Sequence, residues 1–176
     1  KHPHDIVIRD IEIGELTRRN VLREGTFGVR LSGVHDITVS RVAIARTTGA
    51  GIAHTAGDLG YEFARTHDRQ RAHLGIMVED VTVANIDSGY AVLSDSYADN
   101  VGRAATGGYS PMLTPLARTD IVVRQVRARG SDQSVGLRLD HQHGGRFERF
   151  DLADFRIGVL IDEQVHETSA IGSRHP

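Results

Sequence analysis

The chain of 176 residues has no cysteine. That excludes a disulfide framework, a thiolate nucleophile and a cysteine-ligated zinc. It leaves the compartment open. Lysine is almost absent too: Lys1 is the only one, and the other twenty basic residues are arginine. A lysine general base in the body of the chain is therefore excluded. Excess charge of either sign is also missing, with a formal net charge of −2 and a pI of about 6.6. No nucleic-acid partner and no anionic membrane surface is expected on that balance. No apolar run approaches the roughly 18 residues of a membrane span, so no membrane insertion is expected. Neither Asn-Gly nor Asp-Gly occurs, which removes the strongest signal of tight antiparallel hairpins. The chain opens KHPHDIVIRD, already inside a strand pattern, with no visible signal peptide. It reads as an excerpt of a longer chain.

What is present is a repeat. The template I-x-V-x-x-V-x-I fits five segments: Ile6-Ile8-Ile11-Ile13, Ile37-Val39-Val42-Ile44, Ile76-Val78-Val81-Val83, Ile121-Val123-Val126-Ala128 and Phe150-Leu152-Phe155-Ile157. Only Ala128 is a weak filling. Most slots hold β-branched residues, which suit a packed pleated surface. The skip of two residues turns a corner, with both apolar sets facing inward. Between these segments stands a second unit, a glycine opening a short apolar strand, at Gly28, Gly51, Gly89, Gly136 and Gly158.

The glycines set the period. Gly28 to Gly51 is 23 residues and Gly136 to Gly158 is 22, whereas Gly51 to Gly89 is 38 and Gly89 to Gly136 is 47. Taking 23 as one repeat leaves extra segments of 15 and 24 residues, over about 56–73 and 94–118. A third, of about eight, lies between Ile13 and Phe27. No window carries helical periodicity, and glycine interrupts every candidate helix. Repeats this short cannot bury their own apolar face, so they must stack. The expected fold is all-β: one domain over 1–176, a right-handed parallel β-helix of about five coils with two long loop insertions.

The stretches GVRLSGVHDITVSRVAIARTTGAGI and GIMVEDVTVANIDSGYAVL resemble rungs of the right-handed parallel β-helix, the pectin-lyase-like superfamily. The resemblance covers nearly the whole chain. It implies a carbohydrate-active domain that binds and cleaves a polysaccharide, as a lyase or glycoside hydrolase, secreted or at a cell surface and of bacterial or phage origin. It equally admits a non-catalytic spacer or adhesive domain of a surface or phage tail protein, with a homo-oligomer possible, and a uronate C5-epimerase. The arginine bias favours an acidic polymer, because the guanidinium fork binds carboxylates bidentately.

In-register stacking forms columns of side chains. On the glycine strands the second and fourth residues are expected inward: Val29 and Leu31, Ile52 and His54, Tyr90 and Val92, Leu137 and Leu139, Val159 and Ile161. The third place points out, as Arg30, Ala53, Ala91, Arg138 and Leu160. The densest polar cluster follows at Arg138, Asp140, His141 and His143. A histidine there would act as general base or acid, beside an arginine that neutralises a substrate carboxylate. A polar surface turn has the same composition. The second cluster is SDSYADNVG, with Asp95 and Asp99 as a possible hydrolytic pair and Tyr97 as a sugar platform. An Asx-rich turn or an oxygen-rich Ca²⁺ loop reads the same way. Arg30, Asp58, Arg103 and Tyr109 complete the expected substrate-binding set. No cofactor and no metal ligand set is expected. No Asp-Asp pair of the polygalacturonase kind occurs, so paired carboxylates would have to come from different coils.

Overall fold

A computed structural model describes residues 4–17, 26–32, 34–55, 75–95, 121–140, 143–161 and 166–171. Eleven strands follow one another along them: β1 Ile6–Leu16, β2 Phe27–Ser32, β3 Ile37–Thr47, β4 Ala50–Thr55, β5 Ile76–Val83, β6 Gly89–Asp95, β7 Val122–Arg129, β8 Ser134–Asp140, β9 His143–Ala153, β10 Ile157–Ile161 and β11 His166–Ile171. They sort into two sheets, and every pairing is parallel. One sheet runs β1-β3-β5-β7-β9-β11 and the other β10-β8-β6-β4-β2. Each traverse of the chain thus adds one strand to each sheet. Among the described residues there is no helix. The arrangement is all-β and compatible with a parallel β-helix.

The first sheet carries the I-x-V-x-x-V-x-I slots in register. Ile8, Val39, Val78, Val123 and Phe147 form one column, and Ile11, Val42, Val81, Val126 and Phe150 the next. Val39, Val78 and Val123 are fully buried. The skip between slots is made by one residue per strand in the left-handed conformation: Asp10, Arg41, Asp80, Gln125 and Arg149, with φ between 53° and 59°. That shifts the alternation, so the apolar slots two residues before it and one residue after it both face inward. A second left-handed row opens the same strands, at Asp5, Asp36, Gly75 and Gly144.

Two expectations of register are corrected. The fifth repeat is not Phe150-Leu152-Phe155-Ile157. Phe147, Phe150 and Leu152 stand level with Val123, Val126 and Ala128, and the first slot is Gly145. Phe155 sits in the following turn against Gly130, and Ile157 already belongs to the other sheet, beside Val135. A template demanding an apolar first slot slides past a glycine.

The second correction is at Gly89. In the second sheet Gly28, Gly51, Ala91, Gly136 and Gly158 share a row, by the pairs on either side of each. This row is itself a corner: Ser134 and Gly136 are buried, and so is Leu137 immediately after, while Val135 and Arg138 are partly exposed. A Cβ on Gly28 would overlap Ile44, one on Gly51 would lie 2.7 Å from Val83, and one on Gly136 2.5 Å from Leu152. Each glycine faces the next repeat's last apolar slot. The same offset sets Ala91 opposite Ala128, so the missing glycine and the weak slot are one compensation of volume. Gly89 is glycine for another reason. Its φ is 101°, and a Cβ there would collide with the Gly49 backbone. The slip moves each side chain of β6 by two places. Tyr90 therefore lies outward before the corner. Ala91 is fully buried instead of outward, and Ser94, not Val92, follows His54 in the inward column.

Apolar residues of both sheets form one core. The inward column of the second sheet reads Leu31, His54, Ser94, Leu139 and Ile161. His54 is 1% exposed, and its Nδ1 lies 3.3 Å from the Ser94 hydroxyl. Burial pushes its pKa down to about 4.

Candidate active site

The outer face of the second sheet carries the polar column. Leu93 pairs with Arg138, and Asp95 with Asp140, on the adjacent strands β6 and β8. Ser94 and Asp95 therefore close a strand, whereas the pattern assigned them to the second insertion. In-register parallel strands bring equivalent Cα atoms to about 4.8 Å. Two aspartates from different repeats thus stand at equivalent positions of neighbouring strands.

Arg138 organises this face. Its Nη2 donates to Asp140 Oδ2 at 3.0 Å, and its Nη1 to the Tyr90 hydroxyl at 2.9 Å. The guanidinium carbon also lies 5.6 Å from the Tyr90 ring centre. The side chains of Arg138 and Asp140 are only 28% and 14% exposed. An ion pair so shielded is screened less by salt than the surface pairs elsewhere in the chain. The corner at the glycine row explains the contact. Tyr90 stands outward just before the glycine row, and Arg138 outward just after it on the next strand. Tyr90 was missed because the Gly89 register turned it inward. An aromatic residue between the two small residues Gly89 and Ala91 was the available signal.

The remaining expected residues separate. Arg30 is on the Arg138 column but two strands intervene, carrying Ala53 and Leu93, or about 14 Å at the strand spacing. It packs over the Phe27 ring at 5.2 Å. His143 opens β9 and pairs with His166 of β11. Counting from the row Val7, Thr38, Met77, Val122 and Arg146, it stands level with His4 and His35, at the entry to the first sheet. It therefore marks a repeat position three residues beyond the polar strand end. Asp58, Tyr97, Asp99, Arg103, Tyr109 and His141 lie outside the described residues.

The outer face of the first sheet is different in kind. A shallow groove of about 530 Å³ lies along Asp10, Glu12, Arg41, Ala43, Asp80 and Thr82. A smaller one of about 180 Å³ continues from Thr82 toward Arg127 and Asp151. Its charges are paired between repeats. Arg41 donates to Asp10 at 2.5 and 2.9 Å, and Arg124 to Glu79 at 2.6 Å. The Arg41 hydrogen bonds hold Asp10 below the usual carboxylate range, and the same bonds raise Arg41. These are pairs that stitch strands together.

Among the described residues no group of three or more histidine, aspartate or glutamate side chains is placed to hold a metal ion. Nor, among the described residues, is there a helix long and apolar enough to cross a membrane. Comparison of the chain with protein-family models, curated proteins and solved structures found no match.

Proposed function

We propose that this chain is a carbohydrate-active domain of the right-handed parallel β-helix, pectin-lyase-like type, secreted or displayed at a surface, that binds and cleaves an acidic polysaccharide. The observation that carries the reading is the pairing of Asp95 with Asp140 on adjacent strands, with Asp140 held by Arg138. Glycoside hydrolysis needs two carboxyl groups, and about 5–5.5 Å between them selects the retaining, double-displacement course. Asp140, ion-paired to Arg138, is the nucleophile in this assignment, and Asp95 the general acid. Tyr90 and Asp140 occupy both terminal nitrogens of Arg138. In this assignment Arg138 holds the nucleophile, whereas elimination would turn its remaining N–H groups to the substrate's carboxylate. A polymer lying along the stacked strands would meet the polar column at strand spacing.

The test is incubation with a panel of uronate and neutral polysaccharides, following new reducing ends and the ultraviolet absorbance of unsaturated products. Reducing ends without absorbance are expected. Absorbance with new ends would make the protein a lyase. Uronate inversion without cleavage would make it an epimerase. No change on any substrate would return it to the non-catalytic spacer.

A further inference from the structure

We propose a binding site for a divalent transition-metal ion at His4 and His35, where the chain enters the first sheet, independent of the carbohydrate site. The motif His-Asp-Ile occurs at 4–6 and again at 35–37, and Ile6 pairs with Ile37. The two histidines are thus equivalent residues of adjacent strands. Their rings stack with centroids 5.0 Å apart and planes 13° from parallel.

Each imidazole is oriented by the aspartate that follows it. His4 Nδ1 lies 2.6 Å from Asp5 Oδ2, and His35 Nδ1 lies 2.8 Å from Asp36 Oδ2. An ionised carboxylate only accepts, so Nδ1 donates and Nε2 of the neutral ring carries the lone pair. A carboxylate behind Nδ1 is the arrangement that fixes the tautomer of metal-ligating histidines. Both aspartates adopt the same left-handed backbone, φ 56° and 52°, so the two lone pairs are presented alike. The side chains are 52% and 27% exposed, which leaves the ion a path in.

A metal–imidazole bond of about 2.0–2.1 Å lets one ion bridge nitrogens no more than ~4.2 Å apart. The Nε2 lone pairs lie in the ring planes, so the two rings must turn out of their parallel stack until those lone pairs converge on the ion, and their exposure permits it. Two protein ligands leave the other positions to water. Imidazole donors select zinc, nickel or copper over magnesium or calcium.

The experiment is a titration of the full chain with Zn²⁺, followed by calorimetry and by imidazole ¹⁵N spectra. The Nε2 signals of His4 and His35 should shift together at substoichiometric ion, and Mg²⁺ should move neither. His35→Ala should remove one bound equivalent and abolish the shift at His4. Asp36→Asn, which keeps both ligands, should weaken binding about 10- to 100-fold. A His4 response that survives in His35→Ala, or no response of either ring in the native chain, would overturn the proposal.

Discussion

His54 shows how one residue's chemistry is decided by its place in a column. It stacks between Leu31 and Ser94 with its ring wholly buried. The sequence already assigned it inward, as a core histidine, by alternation from Gly51. Its folded pKa of about 4 lies below the unfolded value near 6.5. Above pH 6.5 both states are neutral and nothing is lost. As pH falls, the unfolded chain takes up the proton first, so stability drops until the pH reaches the folded value. The full loss is about 3 kcal/mol, most of it spread between pH 6.5 and 4. Urea denaturation at pH 7.5 and at pH 5 should show this dependence, and His54→Leu should flatten it. An unchanged pH slope in that variant would place the titrating group elsewhere.

The catalytic assignment also belongs to single residues. Asp95→Asn and Asp140→Asn should each lower turnover by about 10²- to 10⁴-fold without loss of fold, measured as release of reducing ends. Tyr90→Phe removes only a hydroxyl from Arg138, so a smaller loss is expected. If Asp95→Asn keeps full turnover, the carboxylate pair is not the catalytic centre. Of this site, Arg138, Asp140 and Asp95 were legible as polar residues at strand ends. Tyr90 was not, because the two-residue shift in β6 places it ahead of the corner at Ala91 and Val92, where the alternation changes phase.

At the scale of the element, the corners carry the design. Left-handed backbone costs an ordinary residue roughly 1–2 kcal/mol, yet Arg41, Gln125 and Arg149 adopt it. The apolar slots two residues before and one residue after each of them gain burial from it. Gln125→Val should destabilise by more than about 1 kcal/mol, and Gln125→Gly should be neutral or stabilising. The glycine row makes a volume argument instead. Gly51→Ala should cost about 1–3 kcal/mol by overpacking against Val83. Adding Val83→Ala should recover part of that loss, because it recreates the native pairing of Ala91 with Ala128. A double-mutant cycle in denaturant measures the coupling. Strict additivity would disprove the compensation.

Across the whole molecule, each strand makes most of its contacts with its neighbours in the stack, so stability is set locally and accumulates along it. The ends differ from the middle. Ile6 and Val7 of β1 are 37% and 66% exposed and Ile161 of β10 is 59% exposed, while the slots of β3, β5 and β7 are buried. Amide hydrogen exchange should therefore be slowest in β3 to β8 and fastest in β1, β10 and β11. Uniform protection would mean that the stack unfolds as one unit.

The sequence by itself determined the strand type, the parallel stacking and the approximate number of repeats. Those rest on the spacing of Ile and Val and on the shortness of the repeat, both local properties. The tertiary structure decided the register, and with it the site. A glycine can serve a corner, as Gly51 does, or a turn, as Gly89 does, and the two look alike along the chain. Only the facing residue distinguishes them: Val83 against Gly51, and the backbone of Gly49 against Gly89. Once that contact sets the register, Asp95 meets Asp140 and Arg138 reaches Tyr90. Each partner is more than forty residues away in sequence, and strand spacing alone brings them together.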